Sequence, residues 1–169
     1  FNPGHSDHAA YTKFLTDPSQ TLPLRRASGL THGGVWKTWM MAEQLVVHPE
    51  VADALATGGP VVALESTIIS HGLPRPTNLD VARQIEGAVR AQGAVPATVA
   101  IVDGTIRVGL DDDALATIAG SDDVVKASVR DLAVVVARRG HGATTVASTA
   151  ELAAMVGIAQ VAARGIQCI

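Results

Sequence analysis

From Pro49 onward the apolar positions of the chain fall into short, alternating periods. EVADALATG reads as a helix closed by Gly58 and Gly59, and PVVALEST follows as a strand whose unbroken Val, Ala and Leu predict burial on both faces. In NLDVARQIEGAVRAQG, Leu79, Ala82, Ile85 and Val89 line one helical stripe, with Asn78 the expected cap and Gly93 the stop. ATVAIVDGTIRVGL predicts a hairpin, because Asp103-Gly104 tolerates the positive φ angles of a two-residue turn. A short helix over 111–119 places its acids in the first turn, where they favour the dipole. VVKASVRDLAVVVARRGHG predicts a short strand and a helix opened by Ser128, with Asp131 as the capping-box partner and Gly140 as the end. Ser148 and Glu151 repeat that signature in STAE, so a further helix is expected to about Val156, stopped by Gly157.

This alternation predicts an α/β fold: a mixed sheet with flanking helices, since the hairpin is antiparallel while helix-linked strands can be parallel. The expected organisation is an incomplete α/β/α domain preceded by a flexible leader. Residues 1–40 form that leader, because Pro3, Gly4, Pro18, Pro23, Gly29, Gly33 and Gly34 punctuate them and no apolar period persists. Met40 and Met41 stand directly before the patterned sequence, so the leader reads as vector-derived or translated upstream of the natural start. Its histidines, His5, His8 and His32, lack a tight ligand spacing and are expected to face solvent.

Composition narrows the function. With 169 residues, 47% of them hydrophobic, the chain can bury the core of one ordinary domain. A formal net charge of -3 provides no basic field for nucleic acid and no polybasic run for an anionic membrane, which leaves small-molecule chemistry as the natural expectation. Cys168 is the single cysteine, which excludes an internal disulfide framework and fits a reducing compartment. No apolar run approaches the roughly 20 residues that cross a bilayer, and no signal-peptide pattern opens the chain. A cytoplasmic protein is expected.

Glu65 is the sharpest chemical anomaly. It follows Val61, Val62, Ala63 and Leu64 at the carboxyl end of a buried strand, where α/β folds collect active-site groups. Burial would raise its pKa and bring proton transfer near neutral pH within reach; the plainer alternative is a strand-edge carboxylate paired with Arg75. Ser66, Thr67, Ser70 and His71 follow at once, and Pro74 and Pro76 are expected to stiffen the loop and keep it out of helix. His71 alone reads more readily as a local hydrogen-bonding residue than as a catalyst. Lys126, at the end of a short apolar run, could meet a phosphate near a helix N-terminus or simply face solvent. Residues 140–149, GHGATTVAST, crowd small residues and hydroxyls, including Thr144 and Thr145, where backbone amides could approach an anion. The stretch fits neither the P-loop nor the GxGxxG pattern.

Taken together, PVVALESTIISHGLPRPTN, GAVPATVAIVDGTIRVGL, KASVRDL and GATTVAST, in this order and at these intervals, closely resemble the pseudouridine-5'-phosphate glycosidase family over about residues 45–158. The resemblance implies a reversible carbon-carbon cleavage converting pseudouridine 5'-phosphate and water to uracil and ribose 5-phosphate. It implies an opened ribose held as a Schiff base on a lysine, with a divalent metal, usually manganese, nearby. In the family's terms Glu65 matches the proton donor, Lys126 a substrate-binding lysine and Val146 a substrate-contacting position, with Ser66, Thr67, His71, Thr144 and Thr145 as candidate pocket residues. The family also implies a homo-oligomer, a trimer.

Beyond Gly157-Ile158 the family continues with a strand ending in Thr-Gly-Gly, whereas this chain reads AQVAARGIQCI, with Ala163 and Arg164 in the places of the threonine and first glycine. Residues 159–169 are therefore expected to be a divergent tail, from a frameshift or a truncation. The metal-binding aspartate and the Schiff-base lysine match no residue of this chain, and no metal ligand is assigned. Two functions compete: a carbon-glycosidase lyase, and a catalytically inactive fragment keeping part of the phosphate pocket or a subunit interface. A nucleotide-binding regulatory module is a third class, which no motif supports specifically.

Overall fold

The computed structural model describes residues 22–23 and 44–162. The leader otherwise lies outside the described residues, as do its histidines and Cys168. In chain order the elements are β1 (Leu22–Pro23), β2 (Leu45–Val47), α1 (Pro49–Ala56), β3 (Val61–Leu64), a π-helical turn (Ile68–Gly72), α2 (Thr77–Ala91), β4 (Val95–Val102) and β5 (Thr105–Val108). There follow α3 (Asp112–Gly120), β6 (Val125–Ala127), α4 (Leu132–Ala137), β7 (Gly142–Thr144), α5 (Val146–Met155) and β8 (Gln160–Ala162).

The strands form one eight-stranded mixed sheet, in the order β1-β8-β3-β4-β5-β2, with β7 also on β4 and β6 on β7. The expected hairpin is β4-β5, antiparallel from Val99↔Val108 to Val102↔Thr105. Its turn residues Asp103 and Gly104 take φ of 50° and 74°, as a primed two-residue turn requires. Strands linked by helices run parallel: β3 with β4 across α2, and β6 with β7 across α4. β8 lies parallel to β3, and β1 antiparallel to β8, so residues 160–162 of the tail and 22–23 of the leader both pair within the sheet.

Alternation along β4 makes the layers. Ala97, Val99 and Ile101 join one cluster with Val51 of α1, Leu132 of α4 and Leu152 of α5. Ala100 and Val102 join the other, with Ala82 of α2 and Leu115 and Ile118 of α3. Helices therefore cover both faces of the central strand, which is why its residues from Pro96 onward are all buried.

Several local expectations are corrected. Asn78 is not the cap of α2 but lies inside its first turn, buried. Its Nδ2 donates to the carbonyls of Ile69 at 2.9 Å and Ala119 at 2.8 Å, tying the π-helical turn to α3. Residues 68–72 coil before the prolines can act, and Pro74 and Pro76 bound that coil on its far side. α4 starts at Leu132, later than a Ser128 cap would place it, because the Ser128 hydroxyl is spent as a donor to Asp131. The Asp131 carboxylate does reach back to the Ser128 N–H at 3.0 Å, and these bonds hold its carboxyl below the usual range. α5 starts at Val146, capped by the Thr145 hydroxyl; Ser148 is buried within the helix and donates to the Ala127 carbonyl at 2.7 Å. The stretch before it is a strand, β7, which its small residues permit because Gly142 packs against Ala127, Val135 and Ile101 at close range.

Candidate active site

The site grows from a collision of strands. β3 runs along one edge of β4 as far as Leu64↔Thr98, while β7 runs antiparallel along the same edge, with Ala143 opposite Ala100. β5 holds the other edge. The carboxyl ends of β3 and β7 therefore meet head to head beside Val99, and neither strand can continue the ladder past the other.

Hydroxyls complete the hydrogen bonding there. Ser66 Oγ donates to the Val99 carbonyl at 2.7 Å, and Thr144 Oγ1 donates to the same oxygen at 2.6 Å. The Thr144 N–H donates to Ser66 Oγ at 2.8 Å, and the Ser66 N–H to the Thr144 carbonyl at 3.3 Å. Thr67 Oγ1 donates to the Thr144 carbonyl at 2.9 Å, and Thr149 Oγ1, from α5, donates to Thr144 Oγ1 at 2.8 Å. All four side chains are buried. Ser66, Thr67 and Thr144 thus form a rigid floor for the site, with their hydroxyls already engaged with protein groups.

Glu65 stands on that floor. It is 2% exposed, and its Oε2 is buried without a hydrogen-bond partner. Arg75 is no partner for it: that guanidinium binds Asp122 and the carbonyls of Ala119 and Ser121. Burial pushes the Glu65 carboxyl up from 4.5 to about 7, against the opposing pull of the Lys126 charge. An acid so placed is largely protonated just below neutral pH and can donate at a reacting atom. Leu64, Glu65, Ile68, Ile69, Ala82, Ile85 and Thr98 line one small cavity at this point.

Lys126 is brought to the same end by pairing. β6 lies parallel to β7, with Lys126 opposite Ala143 and Ala127 opposite Thr144, and the lysine is exposed to solvent. Thr145 and Val146 begin α5 and are partly exposed at the same edge. His71 is not brought into the buried cluster: it is exposed, and its Nδ1 lies 2.7 Å from Ser70 Oγ. Two polar residues that the sequence reading passed over also stand here: Thr98, which lines the same cavity as the acid, and Glu86, which is bonded to Thr98. Thr98 is buried in β4 and donates its hydroxyl to Glu86 Oε1 on α2. A threonine in an otherwise apolar strand, and a glutamate next to Ile85 on the apolar stripe, were the available signals. Among the described residues no group of three or more His, Cys, Asp or Glu side chains could hold a metal ion.

Comparison with known proteins accords with this geometry. The family model described as indigoidine synthase A like protein matches residues 50–168. A pseudouridine-5'-phosphate glycosidase of Nocardioides sp. is 60% identical over 114 residues, 68% of this chain and 37% of that relative. The enzyme of the same name from Salinispora tropica is 62% identical over 117 residues, 69% of this chain and 36% of its own. The chain thus spans little more than a third of the length of these relatives. Among solved structures, the prealnumycin C-glycosynthase AlnA in complex with ribulose 5-phosphate matches with a TM-score of 0.66 and 42% identity, over 73% of this chain and 40% of that one. An indigoidine synthase A-like protein from Thermotoga maritima matches with a TM-score of 0.58 and 31% identity, over 69% of this chain and 38% of its own. The overall fold and the sequence over residues 50–168 agree, and the chain belongs to the indigoidine synthase A-like family.

Proposed function

We propose that this chain is the acid-bearing lobe of a pseudouridine-5'-phosphate glycosidase, which reversibly cleaves pseudouridine 5'-phosphate with water to uracil and ribose 5-phosphate. The observation that carries the reading is Glu65: a buried, unpaired carboxyl at a strand end, raised to about 7, with a lysine near enough to act on it. A carbon-carbon glycosidic bond has a poor leaving group, so the departing base carbon must be protonated as the bond breaks. Glu65 supplies that proton, the electron pair of the broken bond becomes the new C–H bond, and the sugar carbon left behind takes the oxygen of water, whose released proton passes to solvent. Lys126, exposed at the rim, binds the 5'-phosphate, and Val146 with Thr145 at the start of α5 borders the substrate.

The Schiff-base lysine that the resemblance implies matches no residue of this chain; Lys126 is kept for phosphate. No step is routed through manganese. The complete enzyme is a homotrimer of the cytoplasm in this reading. Among the described residues no helix is long and apolar enough to cross a membrane.

The second reading is an inactive fragment that retains the pocket floor, and it rests on coverage of only 37% of the Nocardioides relative. One assay separates the two: uracil released from pseudouridine 5'-phosphate with manganese present, for this chain, for a chain extended to the relatives' length, and for each with Glu65→Ala. Release by the extended chain that Glu65→Ala abolishes supports the glycosidase, and release by neither form sinks it. Activity confined to the extended form assigns this chain to the fragment.

A further inference from the structure

The cavity beneath Glu65 measures about 10 Å³, close to the least that a single water requires, and it is bordered by Thr98. Two facts meet there. Glu65 Oε2 is buried with no protein partner, and Thr98, itself 2% exposed, turns its hydroxyl proton to Glu86. A threonine hydroxyl that donates one proton keeps lone pairs with which to accept another.

We propose that Glu86 is the proton-relay partner of Glu65, coupled to it through one water in this cavity and the Thr98 hydroxyl. The inference rests on the reading of Glu65 as the site's acid. After Glu65 has given up its proton, Glu86 takes one from solvent, which it can reach because it is only partly buried; it passes that proton to the Thr98 oxygen, Thr98 passes its own to the water, and the water passes one to Glu65. Glu86 is thereby returned to its carboxylate. In the resting state the polarity runs the other way: an ionised Glu86 accepts from Thr98, Thr98 accepts from the water, and the water accepts from a protonated Glu65. Glu86 is therefore a positioning residue that keeps Glu65 neutral.

Other charges face the pair. Arg90 of α2, Asp112 of α3 and Glu50 of α1 act on Glu86, and Lys126 of β6 acts on Glu65. None of the first three provides a hydrogen-bonded route to Glu65, whereas Thr98 borders the same cavity as Glu65.

The test needs no turnover. The chain is labelled with ¹³C at its glutamate carboxyls, and the Glu65 signal, identified by its loss in Glu65→Gln, is titrated by NMR. Glu86→Gln is expected to lower the Glu65 midpoint by about one pH unit or more, because an amide that donates to Thr98 lets the chain of bonds reverse toward an ionised Glu65. In a Thr98→Val background the same substitution should leave the midpoint where it was, and Thr98→Ser, which keeps the hydroxyl, should restore the response. A Glu65 midpoint indifferent to Glu86→Gln overturns the relay, as does a response of equal size without the Thr98 hydroxyl. Either result overturns it even if the extended chain releases uracil, and coupling through Thr98 supports it even if no uracil appears.

Discussion

Glu65 shows how one residue takes its chemistry from where the backbone leaves it. A strand that ends against another strand turns its next side chain into the interior, and a carboxyl there loses water that no protein donor replaces. The sign of its effect on stability follows. Folding raises the pKa from 4.5 to about 7, so the folded chain holds a proton that the unfolded chain releases, and stability falls as pH rises through that window. The loss is about 3 kcal/mol once both states are ionised. Glu65→Gln removes the titration, so the variant should outlast the parent in urea by up to about 3 kcal/mol at pH 8 and show no such titration-dependent gain at pH 4. In the extended enzyme the same pKa predicts activity that declines as pH rises through 7, measured as initial rates of uracil release.

At the scale of elements, two joints carry the site. The first is the reciprocal bonding of Ser66 and Thr144 where β3 meets β7. Ser66→Ala leaves the buried Thr144 N–H without its acceptor, and equilibrium unfolding should register a loss of about 1 to 3 kcal/mol. The second is the hairpin turn. At Gly104 a Cβ would stand 2.8 Å from Arg139 Cα and from the Val136 carbonyl, with φ at 74°. Gly104→Ala should therefore cost about 2 kcal/mol or more by chemical denaturation, combining backbone strain with displacement of the end of α4. Helix and hairpin periods were legible because each rests on neighbours in sequence. The starts of α4 and α5 and the whole of β7 were not, because Ser128, Thr145 and Ser148 take their roles from partners or strands whose positions a local reading cannot supply.

For the whole molecule, the consequence lies in Lys126. Its strand reaches the Glu65 end only through β7, so the proposed phosphate subsite depends on a long-range chain of pairings, β6 to β7 to β4. In the extended enzyme Lys126→Ala should raise KM for pseudouridine 5'-phosphate by about tenfold or more with a smaller change in kcat, since a lost charge-assisted bond to phosphate weakens binding by about 1.5 to 3 kcal/mol. Equal losses in kcat and kcat/KM, with KM unchanged, would remove the lysine from the ground-state complex. The amino-acid sequence by itself determined the periods of the helices, the Asp103-Gly104 hairpin, the α/β class and the oddity of a carboxylate after an apolar run, all of which follow from local sterics and burial pattern. Only the tertiary structure decided that β3 and β7 end nose to nose, that Glu65 rather than His71 enters the interior, and that Thr98 borders its cavity while bonded to Glu86. Those outcomes depend on which strands share an edge of β4, and that choice is set by packing among residues far apart in the chain.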